Sequence, residues 1–531
     1  MAMNSSSATF TDNDRQRLLY EPIVLEYALQ MACRGGRRVF NELPAVENDS
    51  LATQAQAFHC FVDKLAQVCD NERGGDTVTA CAILKTPQGP EFILASNGRD
   101  EDKLQEVKEF AESLLDFASS NPLGLSQKPL VKQVLWRILR FNLPRVAVYL
   151  DKVAEHLDAC IADCERRQKT KKDLIGSLES LKLKVEFPRD IASGGIQDKF
   201  LSDCEKLLRA ILAMKGTPLD RAIRDKAKEG EITSSEPWCE LRHYLGRLFS
   251  FRQAAHAIVG ATDRFSEMFK DITVTTIPPS ALLPKPIAKS PSLTAAAIIM
   301  RMEMDEEEQE HYLEEAHEME TLFDVNRLIQ CQVGKRTFRP RVHAEVLVHD
   351  HVLSRIAEQG VGYWNSWKYI GSSKPTCRLC HYYFSTHLDH VQVRKTHYNL
   401  YPNWCLPGFF PGPESATMDP KTLHILQQVT ERVQDDARKT LDDKRPLGKG
   451  HDSNTYTTQP PEFRNGYSDS LSMSDLASQL PRSIARAGLL SDRATEAGDG
   501  DRSSIIGHSD ATSTVVDDEE GGGVEVAALY E

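Results

Sequence analysis

Residues 341–360 read "RVHAEVLVHDHVLSRIAEQG" and residues 374–380 read "KPTCRLC". Apolar residues recur at helical spacing in the first stretch, which predicts a helix that begins near His343 and ends at Gly360. The second stretch predicts the start of another helix at its cysteines, and "WKYIG" at 367–371 predicts a short strand between the two helices. This order of helix, strand, loop and helix decides the fold that we expect.

Three residues of these helices form a donor set for a metal ion. Zinc that activates water takes three protein ligands and leaves one coordination position open. Cys377 and Cys380, at a helix N-terminus, would supply two thiolates, because the helix dipole lowers thiol pKa. Their i, i+3 spacing brings both sulfurs to one side of the helix. His343, at the start of a second helix, completes the set. Glu345 lies two residues later, where it would form a hydrogen bond at the open position and move protons.

The motifs His343-Ala344-Glu345 and Pro375, Cys377, Cys380 resemble those of the cytidine deaminase-like superfamily. The chain is similar to a fungal branch of it that is predicted to act on nucleotides or nucleic acids. In this family the proline directly precedes the first cysteine, whereas here Thr376 intervenes. The departure bears on the shape of the loop and on whether activity is retained.

The resemblance covers roughly 77–97 and 335–405, and it implies an α/β fold. Its three-layer core consists of a β-hairpin, the His-x-Glu helix, a strand, the Cys-x-x-Cys helix and a further strand. The stretch 77–97, with two apolar runs around Pro-Gln-Gly-Pro, is typical of that hairpin. The amphipathic helical segments that follow it would then be a large all-α insertion, for which a regulatory cover over the site is one hypothesis.

These patterns divide the chain into five regions. They are an N-terminal helical region (1–75), the first β-hairpin (76–98), the helical insertion (99–330), the zinc-binding remainder of the core with a closing helix (331–445) and a tail (446–531). Because the tail is rich in Ser, Asp, Gly and Thr, we expect it to be disordered.

The resemblance also implies roles for individual residues. Zinc would be held by His343, Cys377 and Cys380, and Glu345 would pass protons during hydrolytic deamination of a cytosine or adenine base. Asn97 follows the second strand, where the family often has an asparagine that contacts the substrate.

The substrate would be a nucleotide or a single-stranded nucleic acid. The basic run "GKRTFRPR" ends at Arg341, just before the catalytic helix, and suits phosphate contact. The run "GYWNSWKY" contains Trp367, which would stack on a base. The competing interpretations are a solvated basic surface and an aromatic core.

Two other readings of the same residues stay open. A structural zinc finger would need a downstream ligand, but the candidates lack the usual spacing; they are His381, His387, His390, His397 and Cys405. His349 and His351 have no partner signal and are expected to be surface or core residues. The second reading is a catalytically inactive, zinc-containing scaffold that binds a protein partner through the helical insertion or the acidic tail.

The overall composition is that of a soluble protein, with 531 residues, 40% hydrophobic and 27% charged. A net charge of −13 argues against a surface that binds nucleic acid throughout, although a local basic groove is compatible with it. The sequence has no signal-peptide pattern and no run of about 18 apolar residues. We therefore expect no membrane contact and a cytoplasmic or nuclear location.

Overall fold

The computed structural model describes residues 12–34, 53–167, 172–189, 194–227, 232–409, 419–445 and 447. The predicted disordered tail lies outside these segments, apart from residue 447. Across the described segments, no helix combines the length and the apolar character needed to cross a bilayer.

The described part of the chain has a mixed α/β fold that is mostly helical. Its helices are α1 (Asp12–Arg34), α2 (Gln54–Cys69), α3 (Glu101–Ser120), α4 (Gln127–Phe141), α5 (Leu143–Arg166), α6 (Lys172–Val185), α7 (Gly194–Met214), α8 (Pro218–Lys226), α9 (Ile232–Arg264), α10 (Ala295–Ile299), α11 (Glu306–Phe323), α12 (Val325–Gly334), α13 (Ala344–Gln359), α14 (Arg378–Thr386) and α15 (Pro420–Asp443). Its strands are β1 (Thr79–Thr86), β2 (Gly89–Ser96), β3 (Thr273–Ile277), β4 (Arg341–Val342), β5 (Gly362–Tyr363), β6 (Tyr369–Ser372), β7 (Gln392–Val393) and β8 (Trp404–Cys405).

The main sheet has the strand order β3-β2-β1-β6-β7, and β5 pairs with β1 outside this path. Strands β1 and β2 form the antiparallel hairpin predicted within 77–97, with a two-residue turn between Thr86 and Gly89. Gly89 has a φ of +133°, and an added Cβ would lie 2.5 Å from the Asp271 carbonyl oxygen, so this position requires glycine. Strand β6 pairs antiparallel with β1, and β7 pairs parallel with β6.

The sheet also contains a strand that the sequence did not predict. Strand β3 lies within 99–330, which was expected to be an all-α insertion, and it pairs in parallel with β2 from Glu91–Thr273 to Ala95–Ile277. The insertion is therefore mostly helical rather than all-α. The division of the chain into five regions stays a prediction.

Helices cover both faces of the hairpin, because alternate side chains of a strand point to opposite faces. On one face, β1 and β2 pack with helices α2 to α9 through Cys81, Ile83, Phe92 and Leu94. On the other face, they pack with α1 and with α10 to α15 through Ala80, Ala82, Leu84, Ile93 and Ala95. The sheet is thus the middle of three layers, and α13 and α14 both lie on the second face.

Arg378 joins α14 to the first and last helices of the described chain. Its side chain is fully buried, and Nη1 lies 2.6 Å from Glu26 Oε1 on α1 and 3.1 Å from Asp436 Oδ2 on α15. Its Nε donates to the Tyr398 carbonyl oxygen at 2.9 Å. Burial raises the pKa of both carboxyl groups, and Arg378 opposes the rise. Removing Glu26 would take away the fully buried partner of Arg378 and leave the partly exposed Asp436 as its carboxylate partner.

We expect Glu26→Ala to lower the free energy of unfolding by about 3–5 kcal/mol, because Arg378 loses its fully buried partner. Chemical denaturation of the full chain measures this change. The control is Glu155→Ala, which removes an exposed ion pair with Lys152 and should cost less than about 1 kcal/mol. Equal losses in the two variants would contradict the role of the buried pair.

Candidate metal centre

The His-x-Glu and Cys-x-x-Cys motifs meet where α13 and α14 begin. His343 is the N-cap residue of α13, and Cys377 is the N-cap residue of α14. The backbone N–H of Cys380 donates to Cys377 Sγ at 3.5 Å, so the first cysteine caps its own helix. Both helix N-termini point positive dipole ends at this place, which favours thiolates.

The three predicted ligands are close enough to share one ion. His343 Nδ1 lies 3.5 Å from Cys377 Sγ and 3.5 Å from Cys380 Sγ. Around a tetrahedral zinc ion, bonds of about 2.0–2.1 Å to nitrogen and about 2.3 Å to sulfur place these atoms about 3.5 Å apart. The donor set therefore fits zinc in both type and spacing.

The cysteines interact as an electrostatic pair. Burial raises the pKa of Cys377, but hydrogen bonds from Cys380 and the charge of His343 outweigh it and hold that pKa well below its usual range. Burial, followed by the neighbouring Cys377 thiolate, raises the pKa of Cys380, and the indole N–H of Trp404 opposes the rise. A divalent cation between the two sulfurs would stabilise both thiolates.

Among the described residues, no further His, Cys, Asp or Glu joins this group. The downstream candidates of the zinc-finger interpretation are thus outside this group of described residues. The ring nitrogen Nδ1 of His397 accepts from the Asn399 backbone N–H, and Cys405 Sγ donates to the Leu406 carbonyl oxygen. Three protein ligands are the number that catalytic zinc sites use, whereas structural sites use four.

Glu345 lies in the first turn of α13 and is 4% exposed. Burial raises its pKa to about 7, and the negative charge of Cys377 adds to the rise, whereas His343 and Arg394 lower it. A carboxyl group in this range exchanges protons readily at neutral pH. The predicted proton carrier is thus placed beside the predicted ligands.

Asn97, at the end of β2, holds the start of α13. Its Oδ1 accepts from the Ala344 backbone N–H at 2.8 Å, and its Nδ2 donates to the Gly75 carbonyl oxygen at 2.9 Å. It satisfies one of the N–H groups that a helix start leaves without a partner. The predicted contact with a substrate stays a prediction, and the structure adds a positioning role for the same side chain.

Arg341 lies beside Asn97. Its Nη1 is 2.7 Å from Asp76 Oδ1 and donates to the Asn97 carbonyl oxygen at 3.1 Å. The guanidinium side chain is 21% exposed, whereas that of Asp76 is 69% exposed. The structure brings Arg341 to the start of the His-x-Glu helix, as predicted from its sequence position, and phosphate contact stays a prediction.

Trp367 is not brought together with the three ligands. Its ring packs 5.0 Å from the Phe58 ring and 5.8 Å from the Phe265 ring, centroid to centroid, in the core that contains α2 to α9. That core lies on the sheet face opposite α13 and α14. Helices α3 to α9 of the insertion lie on this opposite face, whereas its helices α10 to α12 pack on the same face as α13 and α14. The hypothesis that the insertion covers the site stays a prediction.

The sequence did not predict several neighbours of the site in the segment after α14. The Tyr401 ring lies 6.5 Å from the His343 ring, and Arg394 acts electrostatically on Glu345. Asn399 Oδ1 is buried and has no hydrogen-bond partner among the described residues. No motif marks these residues, since only the pairing of distant segments brings them here.

Comparison with known proteins finds a family that resembles the segment containing α13 and α14. A family model described as "OTT_1508_deam:-like deaminase" matches residues 342–408, which include all three candidate ligands and Glu345. Neither a curated protein nor a solved structure matches the chain. The segment is therefore similar to a deaminase family, as the resemblance predicted, and the fungal branch stays a prediction.

We expect Cys380→Ser to lower the zinc content of the purified full chain by about one ion per chain, because a zinc site that loses one of three ligands binds far more weakly. Mass spectrometry of the metal measures the content. Cys331→Ser, which changes an exposed cysteine outside the group, is the matched control. Equal zinc in the two variants would contradict the assignment.

We expect Asn97→Ala to weaken zinc binding by about 10-fold or more, because the start of α13 loses an acceptor that orients His343. Asn97→Asp keeps that acceptor and should retain most of the affinity. Competition with a coloured chelator measures the affinity of both variants. An unchanged zinc affinity in Asn97→Ala would contradict the proposal that Asn97 positions His343.

Proposed function

We propose that the chain is a zinc-dependent hydrolytic deaminase that acts on a cytosine or adenine base in a nucleotide or a nucleic acid. The observation that carries this proposal is the buried carboxyl group of Glu345 beside His343, Cys377 and Cys380, within the segment that is similar to a deaminase family. The succession of hairpin, α13, β6, α14 and β7 supports it, because it follows the order expected for the cytidine deaminase-like core.

Zinc is the ion that suits a donor set of one imidazole and two thiolates. His343, Cys377 and Cys380 would hold it. When bound, such an ion supplies Lewis acidity that brings the pKa of a coordinated water from about 15.7 to near 7. The residues of the chain then determine where the protons go.

In the net reaction, the oxygen of water bonds to the carbon that bears the amino group, C4 of cytosine or C6 of adenine. The bond from that carbon to the amino nitrogen breaks, and ammonia leaves. Glu345 would take one proton from the water and give it to the adjacent ring nitrogen. It would then take the second proton from the hydroxyl group on the attacked carbon and give it to the departing amino nitrogen, which leaves as ammonia. Its burial keeps these transfers within the site rather than with bulk solvent.

Basic residues before α13 favour a substrate that carries phosphate. Arg336 and Arg339 are exposed, and Arg341 pairs with the exposed carboxylate of Asp76. A phosphate group would compete with Asp76 for the guanidinium, since Arg binds both anions through the same N–H groups. A nucleotide or a single strand would satisfy this arrangement.

We expect Glu345→Gln to lower the rate of deamination by at least about 100-fold while zinc content is unchanged, because the variant keeps the three ligands but its side-chain amide cannot act as a general acid or base. The assay measures ammonia released from cytidine and adenosine, their monophosphates, and single-stranded DNA and RNA.

Glu358→Gln, an exposed change on the same helix, is the control and should retain the wild-type rate. Equal rates in the two variants would contradict the role of Glu345. A wild-type chain that holds zinc but releases no ammonia from any of these substrates would favour the inactive scaffold instead.

A further inference from the structure

A second cluster of metal-ligating side chains lies on the same two helices. His349 follows Glu345 by four residues, which is one turn of α13, and is fully buried. His387 is the C-cap residue of α14, and Asp389 lies in the loop that follows. His349, His387 and Asp389 place one ligand atom each within 4.8 Å of one another.

The carboxylate of Asp389 lies between the two imidazoles. Asp389 Oδ2 is 2.6 Å from His349 Nε2, and Asp389 Oδ1 is 3.0 Å from His387 Nδ1. The other ring nitrogen of His349, Nδ1, lies 2.9 Å from the Tyr383 hydroxyl oxygen on α14. The rings of His349 and His387 meet edge to face, with centroids 4.6 Å apart.

This donor set differs in kind from that of the first centre. Two imidazoles and one carboxylate hold zinc in one class of hydrolase and iron in the facial triad of oxygenases. A metal-ligating histidine typically forms a hydrogen bond through its other ring nitrogen, which fixes the ring and its tautomer. Tyr383 stands in that position for His349.

The solvent access of this cluster and the distances between its ligand atoms are both compatible with a bound ion. The side chains of His387 and Asp389 are 21% and 19% exposed, so solvent reaches the cluster from one side while His349 closes the other. Ligand atoms around a tetrahedral zinc ion are about 3.3 Å apart. The pair at 2.6 Å would therefore open by about 0.7 Å when an ion binds.

We propose that His349, His387 and Asp389 form a second site for a divalent transition-metal ion, with zinc as the ion that this set suits. The site would fasten the first half of α13 to the end of α14, one helical turn beyond Glu345. It shares no ligand with the first centre, so it does not depend on deaminase activity. The competing arrangement is a His–Asp–His hydrogen-bond network that binds no ion.

The test counts zinc in four full-length chains after saturation and dialysis. These are the wild type, Cys380→Ser, His387→Asn and the double variant. Two occupied sites predict about two ions per chain for the wild type, about one for each single variant and about none for the double variant. Circular dichroism checks that each variant is folded.

His390→Asn is the matched control. His390 is exposed and has a φ of +56°, a conformation that asparagine tolerates, so this variant should keep the wild-type count. A wild type with about one ion, lost in Cys380→Ser and kept in His387→Asn, would overturn the second site and leave the first centre intact. A loss in His387→Asn but not in Cys380→Ser would support the second site and contradict the first.

Discussion

Two helix starts held against each other organise this protein. His343 is the N-cap of α13 and Cys377 is the N-cap of α14, so two positive dipole ends meet at one place. The first N–H groups of each helix have no partner within the helix. Such an arrangement is stable only where acceptors and negative charge are supplied. Cys377 Sγ accepts from the Cys380 N–H, and Asn97 Oδ1 accepts from the Ala344 N–H. Thiolates at Cys377 and Cys380 would supply the negative charge, and two of the three candidate ligands, His343 and Cys377, are also the helix caps.

The rest of the fold supports these starts from both sides of the sheet. Asp63, on α2 in the opposite layer, accepts from the Ser372 N–H and from the Tyr369 hydroxyl, and so fixes the end of β6 that leads to Cys377. Gly371 permits this approach, because an added Cβ would lie 2.8 Å from Asp63 Oδ1. The large helical layer on that side therefore holds the strand from which the cysteine loop departs.

Short-range pattern predicted much of this arrangement. Helical spacing and cap residues located the starts at His343 and Cys377, and two apolar runs around a turn located the hairpin. What failed depends on distant pairing. Strand β3 is five residues long and pairs with β2 about 180 residues earlier, so no local period marks it. Alternating side chains in a strand show that the sheet has two faces, but they do not tell which face carries the site. Trp367 was expected beside the candidate ligands, and it packs on the opposite face of the sheet with α2 to α9. His349 was expected to be a surface or core residue, and it is fully buried. Its contacts with Tyr383 and Asp389 were not predicted, because these residues belong to another helix and loop.

The buried arginine between the two cysteines has a consequence for biosynthesis. Arg378 pairs with Glu26, which is 352 residues earlier in the chain, and with Asp436, which is 58 residues later. A ribosome must therefore deliver α15 before the helix that carries both thiols is locked in place, and the N-terminal helix must wait for most of translation. Contacts of such large sequence separation form slowly. The cysteine pair of the candidate centre is thus expected to reach its final geometry late, on a nearly finished chain.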